Sequence, residues 1–434
     1  MSLKSAITRL FRRSGIEAGA GGRRWEGWQG IASPQASTLA ARRPAKERAT
    51  AAAMNTPAGA RIVEIWTANL VSKGWQARSQ HPDRDTARRL NAEFEALANP
   101  ALPCLARALV RDGEAFIRIV PEADGTSLRQ LPADQIDPSL TRDLGDGARI
   151  IGGIEFDRED RIVAYHVLPE APGTSFAATL EAIRVPASDV IHVFDKLFPG
   201  QVRGLSWLSP VLLKIRDRDE ASDALLMQLK TASLLTGFVR DPEGGAAGFE
   251  GQAADGALNV SLEPGAMRVL PPGADVTFSS PGTGLQQAVE FLRSQDREIA
   301  SGTGLTFEQL TGDLSGANFS SARMGAIEFR RRAEMLQKTL IEGQFLRPLW
   351  RQWIAMQVLA GLVAPDETAD FESVRFIGPG WQHVEPLKDV NAEIAAITAR
   401  LKSREEAVAN RGRDIDELDE EIARDAARTE EAAE

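Results

Sequence analysis

Apolar side chains recur at helical spacing in three long stretches of the chain and cluster into short runs between them. From Arg61 onward, Ile62, Ile65, Trp66, Asn69, Leu70 and Trp75 predict a helix that ends near Gly74. Leu105 to Val120 reads as two strands turning at Asp112–Gly113, a favoured tight-turn pair. Ile150 to Leu168 predicts a second hairpin, turning at Asp157 to Asp160, and Val190 to Phe194 a short apolar strand. The pattern then changes. Ser206 and Ser209 are good helix caps, and Pro210 suits a first helical position. A long helix follows through Val211, Leu212, Ile215, Ala221, Leu225, Leu226 and Leu229 toward Gly237, with a charged middle from Lys214 to Glu220.

Residues 237–282 are rich in Gly and Pro. Pro264–Gly265 and Pro271–Pro272–Gly273 bracket a strand-like run from Ala266 to Leu270. A second helix is predicted from Leu285 to Ala300, with Leu285, Val289, Leu292 and Ile299 on one face and a stop at Gly302–Thr303–Gly304. Residues 305–321 read as a polar loop. A third helix runs from Ala322 toward Leu359 with a kink at Pro348. A short strand at Val374 to Ile377 and acidic helices broken at Asn410–Gly412 complete the pattern. The fold class expected is α+β, and no internal repeat is visible.

Residues 14–60 carry little periodic apolar pattern and read as a flexible or surface-wrapping arm. Ahead of them, Leu3, Ile7, Leu10 and Phe11 form the apolar face of a short basic helix, read as an arm that docks on a partner. An organelle-targeting peptide has a similar look, but no apolar core of a secretory signal follows the basic residues.

Composition narrows the class. The chain has 434 residues, 43% hydrophobic and 26% charged, which suits a globular protein with more than one domain. No apolar run is long enough for a membrane span. The lone Cys104 excludes an internal disulfide framework and, inside an apolar run, reads as a core residue. The net charge of −10 is uneven: residues 1–60 carry ten Lys/Arg against three Asp/Glu, and residues 385–434 carry eight against fifteen. Gripping DNA takes a basic surface that displaces counterions. An acidic chain is a poor grip, yet it suits a conduit past which DNA must slide.

The usual signatures of chemistry are missing. No Gly precedes Lys anywhere, so there is no phosphate-cradling P-loop. His81, His166, His192 and His383 are scattered and form no helical zinc motif. Gly204–Leu205–Ser206–Trp207–Leu208 lacks the second glycine of a nucleophile elbow. Gly282–Thr283–Gly284 and Gly302–Thr303–Gly304 read as helix punctuation rather than nucleotide loops. Asn318–Phe319–Ser320 fits a glycosylation acceptor but means nothing without a secretory signal. His192 reads as a hydrogen-bonded core residue. No catalytic residue, cofactor or metal is expected.

Three segments resemble the lambda-type portal proteins of tailed phages. In the most specific of them, the strand Val190–Ile191–His192–Val193–Phe194 is followed by Phe198–Pro199–Gly200–Gln201–Val202–Arg203–Gly204–Leu205–Ser206–Trp207–Leu208–Ser209–Pro210, similar to the family's strand, Pro-Gly-Gln-x-Arg-Gly turn and long helix. Gly200 and Gly204 permit a tight turn there, and the Ser/Pro pair starts the helix. Trp381–Gln382–His383–Val384–Glu385–Pro386–Leu387–Lys388–Asp389 and Ala53–Met54–Asn55–Thr56–Pro57 are similar to two further family segments.

The resemblance implies a ring, usually a dodecamer, at one capsid vertex of the virion, with assembly in the host cytoplasm. It implies an N-terminal basic arm (1–59), a wing (60–204 and, with a tunnel helix, 322–385), stem helices (205–236 and 283–303), a clip (237–282), a tunnel loop (304–321) and a crown (386–434). The partners it implies are double-stranded DNA, the terminase large subunit as the separate ATPase, the major capsid protein and a head-completion or tail adaptor, with no membrane. On this layout Ser315, Asn318, Phe319, Ser320 and Ser321 face DNA, the polar ones among them offering donors without fixed charge. In the stem, Lys214, Arg216 and Arg218 either approach DNA or pair with Asp217, Asp219 and Glu220 of a neighbouring subunit. Arg330–Arg331–Arg332 reads as solvated or as forming salt bridges between subunits, with Glu328 and Glu334 in helical reach. The competing readings are an assembly adaptor with no passage, and an enzyme with a metal-dependent site of dispersed carboxylates.

Overall fold

In the computed structural model the chain is described over residues 30–122, 125–172, 181–234, 238–240, 275–277, 285–316, 318–364, 367–382 and 385–433. The amphipathic segment 1–13 and the strand-like run 266–270 lie outside these residues. The fold is mixed helix and sheet, as expected.

Helix α1 (Pro34–Asn55) begins at Ser33, whose side chain accepts from the Ala36 amide. Thr56 ends α1 and caps α2 (Pro57–Val71), accepting from the Gly59 amide. A Cβ at Gly59 would stand 2.4 Å from the Ala52 carbonyl oxygen, so the elbow between the two helices needs glycine. Part of the expected arm is therefore built structure. Ala49, Ala52 and even Arg42 are buried, and an alanine-rich helix lacks the strong apolar stripe that reveals most core helices in sequence.

Strand β1 (Gln76–Ser79) and α3 (Arg84–Ala98) lead into α4 (Leu102–Asp112). The strand pair expected around Asp112–Gly113 is not there. Leu102, Leu105, Ala106 and Leu109 follow helical spacing and are buried, and Gly113, at φ 88°, is the left-handed cap that ends α4 rather than a hairpin turn. Cys104 falls off the buried face and is exposed, against the core position expected of it. A thiol reagent is therefore expected to label one cysteine per chain without denaturant; labelling only after unfolding would contradict this placement.

The central strand is β2 (Glu114–Glu122). It pairs antiparallel with β3 (Gly125–Leu131) on one side and β9 (Val190–Phe194) on the other. Both of its faces are covered: Ala115, Ile117 and Ile119 join the main helical core, and Phe116 joins a second core. A five-stranded antiparallel meander, β4 (Arg142–Gly145), β5 (Ala148–Ile151), β6 (Ile154–Phe156), β7 (Ile162–Val167) and β8 (Ile183–Pro186), supplies the other side of that second core through Ile154, Tyr165, Val167 and Val185. The β6–β7 hairpin and the β9 strand lie where the sequence predicts them.

Helix α5 (Leu212–Leu234) runs out from this body to β10 (Phe238–Arg240), which pairs antiparallel with β11 (Asp275–Thr277); α6 (Leu285–Thr303) runs back. A short helix, α7 (Phe307–Thr311), precedes α8 (Phe319–Leu336). The kink expected at Pro348 is prepared one turn earlier. Residues Gln337–Leu346 form a π-helical stretch before α9 (Arg347–Leu359), which accommodates a proline that has no N–H to give and whose ring crowds the carbonyl four residues back. Then come α10 (Thr368–Glu372) and β12 (Val374–Ile377), which pairs with β1. The tail is α11 (Pro386–Thr398), α12 (Arg404–Ala409) and α13 (Ile415–Ala433). It breaks at 410–412 as expected, and also at Arg400, which sits at φ 58°.

Candidate functional site

Two features stand out: the helical hairpin α5/α6 with the segment that returns from it, and a buried ionic hub behind the hairpin.

The hairpin is fastened by charge. Lys214 reaches Glu298 at 2.8 Å, and Arg218 reaches Asp296 at 3.0 Å. Arg216 pairs with Glu220 one turn along its own helix at 2.7 Å. The Glu298 carboxylate lifts the Lys214 ammonium above its ordinary value. All three cations expected to face DNA or a neighbouring subunit have partners within this chain, Lys214 and Arg218 on α6, which lies beside α5 in space but far from it in sequence, and Arg216 on α5 itself. At Gly302 a Cβ would stand 2.4 Å from a Val211 methyl, so glycine sets the closeness of the two helices. Large apolar side chains on both helices, Leu213, Leu226, Met227, Leu229, Val289 and Phe291, are exposed, spread around the hairpin rather than gathered on one face.

The segment 305–321 is not one continuous loop. Thr306 and Gln309 form a reciprocal capping box that starts α7, and Gly312 at φ 71° ends it. Asp313 accepts from the amide and hydroxyl of Ser315. Asn318 caps α8 by accepting from the Ser321 amide, and the Ser321 hydroxyl donates to the Asn318 carbonyl. Ser315 and Ser321 thus donate within the chain, and the Asn318 carbonyl oxygen is occupied. Ser320 is exposed; Phe319 opens the first turn of α8. Local capping accounts for the polarity that reads as a loop in the sequence. Arg330 donates to the Gln382 carbonyl and lies over the Trp381 ring, and Arg332 lies over Trp66, so two of the three consecutive arginines clamp the body.

The hub is built around Glu114, the first residue of β2, which is fully buried. Arg203 donates to both of its oxygens, with Nη2 at 2.7 Å from Oε1. Arg42 of α1 donates to it at 2.9 Å, the Gly204 amide at 2.9 Å, and His192 lies at 3.1 Å through Nε2. The rest of the Arg203 fork donates to the carbonyls of Gly152 and Ala133. From Arg42 the network passes to Asp134 and then to Lys46 at 2.7 Å. Charges alternate from the interior to the surface: Arg203, Glu114, Arg42, Asp134, Lys46. The His192 ring is stacked between Phe116 (4.1 Å) and Phe194 (4.5 Å), because Phe116 and His192 are direct cross-strand partners.

The remaining motif residues shape the loop that carries Arg203. Gln201 accepts from the Leu197 amide at 2.7 Å and donates to the Arg203 carbonyl at 2.9 Å. Gly200 sits at φ 79°, as a tight turn requires. Gly204 does not supply a turn; a Cβ there would lie 2.2 Å from the Gly113 carbonyl oxygen, so it permits contact between two backbones. Ser206 donates to the Val110 carbonyl at 3.3 Å, and the Trp207 amide donates to the same oxygen. The loop thereby covers the C-terminal end of α4, whose last carbonyls lack helical partners. Ser206 caps a turn spanning 206–211 and not α5, which starts at Leu212.

Burial pushes the Glu114 carboxyl up. The charge of Arg203, hydrogen bonds from His192 and Arg203, and the charge of Arg42 outweigh it and hold the group well below the usual carboxylate range. Burial holds the His192 imidazole below its ordinary value of 6.5, against the pull of Glu114. Both shifts have the same sign in their effect. Below pH 6.5 the unfolded chain takes up a proton that buried His192 resists, and below the ordinary carboxyl value of 4.5 it takes up another that buried Glu114 resists. Stability is expected to fall in two steps as the solution is acidified from pH ~8 to ~4, read by denaturant midpoints, with His192→Gln removing only the upper step. A flat profile through both steps would contradict this.

Sequence reading found His192 and Arg203 but missed Glu114, Arg42, Asp134 and Lys46. Glu114 left a signal, a lone charge opening the apolar run Ala115 to Val120. Arg42 left none among the other basic residues of its segment. Among the described residues no group of three or more His, Cys, Asp or Glu is placed to hold a metal, and no helix is long and apolar enough to cross a membrane.

The strand and loop from Val190 to Ser206 close the buried hub and lead into the helical hairpin. The sequence profile of the phage portal protein family, lambda type, matches residues 21–337. The chain belongs to that family. It is 29% identical over 335 residues to a probable portal protein of Halomonas phage phiHAP-1 (73% of this chain, 63% of that protein). It is 22% identical over 345 residues to portal protein B of Escherichia phage lambda (71% and 64%). The chain thus spans about 63% of the length of the first of these relatives and 64% of the second. A chain in the neck of an empty GTA particle aligns at TM-score 0.49 and 16% identity, over 92% of this chain and 97% of that one.

Proposed function

We propose that the chain is a portal subunit that closes into a ring at a capsid vertex, through which double-stranded DNA passes during packaging and ejection. The observation that carries this reading is the hairpin α5/α6. Its cations Lys214, Arg216 and Arg218 pair within the chain, while six large apolar side chains of the two helices are exposed. Such a surface belongs against other copies of itself, and a repeated head-to-tail contact closes into a ring when the rotation allows.

On this reading residues 205–236 and 283–303 are the stem, and 237–282 the clip, with the β10–β11 pair at its base. Residues 304–321 approach the axis, 60–204 and 322–385 form the wing with the tunnel helix, and 386–434 the crown. Within the basic arm, 1–59, helix α1 is joined to the wing through Arg42. The neighbours of such a ring are the capsid protein, a terminase large subunit that hydrolyses ATP, and a head-completion or tail adaptor, all within a virion assembled in the host cytoplasm. Because Lys214, Arg216 and Arg218 are paired internally, contact with DNA inside the passage falls to polar groups near Ser315 to Ser321 and stays sequence-blind.

Native mass measurement of the purified protein tests this. A single high-mass species at a whole multiple of the chain mass, usually twelve in this family, is the expected result. A stable monomer over the same concentration range would defeat the reading.

A further inference from the structure

The acidic tail is held to the body by charge. Among the described side chains of residues 386–429, only Ala407 and Val408 are buried apolar ones. Across the seam, Arg78 of β1 holds Asp414 and Glu417, each at 2.9 Å. Arg88 of α3 pairs with Glu420, and Arg375 of β12 with Glu405. Three of the tail's own arginines pair inside it, Arg404 with Asp419, Arg411 with Glu393 and Arg413 with Glu421. Asp414, Glu417, Glu420 and Glu405 are the acids that meet these arginines of the body. The seam is not closed: a cavity of about 490 Å3 remains between the two sides, with exposed Arg84 at its edge. The acids on the body side are already engaged, Glu95 by Arg78 and the Ala77 amide, and Asp83 by the Thr86 amide. One tight backbone contact, Gly380 against Arg411, adds to the ion pairs.

We propose that the arginine face of α3 and the β1–β12 ribbon is a binding surface for the phosphate backbone of DNA, covered in this structure by α12 and α13 of the same chain. An arginine fork donates to phosphate oxygens with the geometry it uses for carboxylates. Asp414, Glu417 and Glu420 therefore occupy positions that phosphates fit, and the tail and DNA compete for them. A seam with little apolar burial loosens as salt screens its charges, so the cover lifts without unfolding the body. This goes beyond the ring: the face is remote in sequence from 304–321 and belongs to a single chain.

The test uses the full chain and a short mixed-sequence DNA duplex. Glu405→Gln, Asp414→Asn, Glu417→Gln and Glu420→Gln are combined, and hydrogen exchange of 404–433 is measured beside duplex affinity at low salt. The account expects faster exchange confined to that segment and at least about tenfold tighter binding, since several phosphate contacts become free. Adding Arg88→Gln and Arg375→Gln should return affinity to that of the unaltered chain. Raising the salt on the unaltered chain should speed exchange in the same segment. Faster exchange with unchanged affinity would overturn the binding surface, and unchanged exchange in both variant and salt would overturn the electrostatic cover. Neither outcome bears on ring closure, which mass measurement reads separately.

Discussion

Replacing Glu114 with alanine is expected to lower stability by about 3–5 kcal/mol, the cost of leaving a buried ion pair half empty. The loss is large because one carboxylate answers Arg203, Arg42, His192 and the Gly204 amide at once. Without it, two guanidinium groups with side chains no more than 2% exposed face each other, with only Asp134 left beside Arg42. Glu114→Gln should cost less, since the amide oxygen still accepts hydrogen bonds. Changing Glu114 and Arg203 together to methionine should cost less than Glu114→Ala alone, because no charge on that pair is then stranded. Denaturant titration of the four proteins reads all of this. If Glu114→Ala fell within ~0.5 kcal/mol of the unaltered chain, as surface changes usually do, the hub would not hold these elements together.

The second large effect is expected where two backbones touch. Gly113 and Gly204 face each other, and a Cβ on Gly204 would lie 2.2 Å from the Gly113 carbonyl oxygen. A Cβ on Gly113 would lie 2.1 Å from the Leu205 carbonyl carbon, and Gly113 also sits at φ 88°. Gly204→Ala should therefore cost about 1–3 kcal/mol from overpacking alone. Gly113→Ala should cost roughly 2–6 kcal/mol, because backbone strain of similar size adds to the clash. Since both substitutions push apart the same contact, the double variant should lose less than the sum. Equal losses for the two single variants would show that the left-handed backbone at Gly113 carries no strain.

The elements were legible where a short apolar run, or glycine and proline punctuation, marks their bounds. The β6–β7 hairpin, the strand β9 and the two long helices α5 and α6 follow from spacing and punctuation alone. Helix α4 was misread because Asp112–Gly113 has two uses, hairpin turn and helix end, and only packing decides between them. Helix α1 escaped because alanine and arginine carry no stripe, and Arg42 is buried only because Glu114, far along the chain, meets it. The motif from His192 to Ser206 was legible as a motif, but its physical role was not. Its residues converge on Glu114 and on the end of α4, which no spacing rule connects. Similarly, the charges of α5 suggest outside partners in sequence, whereas the fold brings Asp296 and Glu298 beside them.

The account turns on the hairpin α5/α6 and the segment 315–321 surrounding a passage formed only by the assembled ring. The most direct measurement is an image reconstruction of the purified assembly that resolves these helices. The account predicts a closed ring with α5 and α6 packed side by side between neighbours, residues 315–321 nearest the axis, and a hole that admits a DNA duplex. A ring with 315–321 on its outer rim, or with a hole too narrow for a duplex, would contradict it.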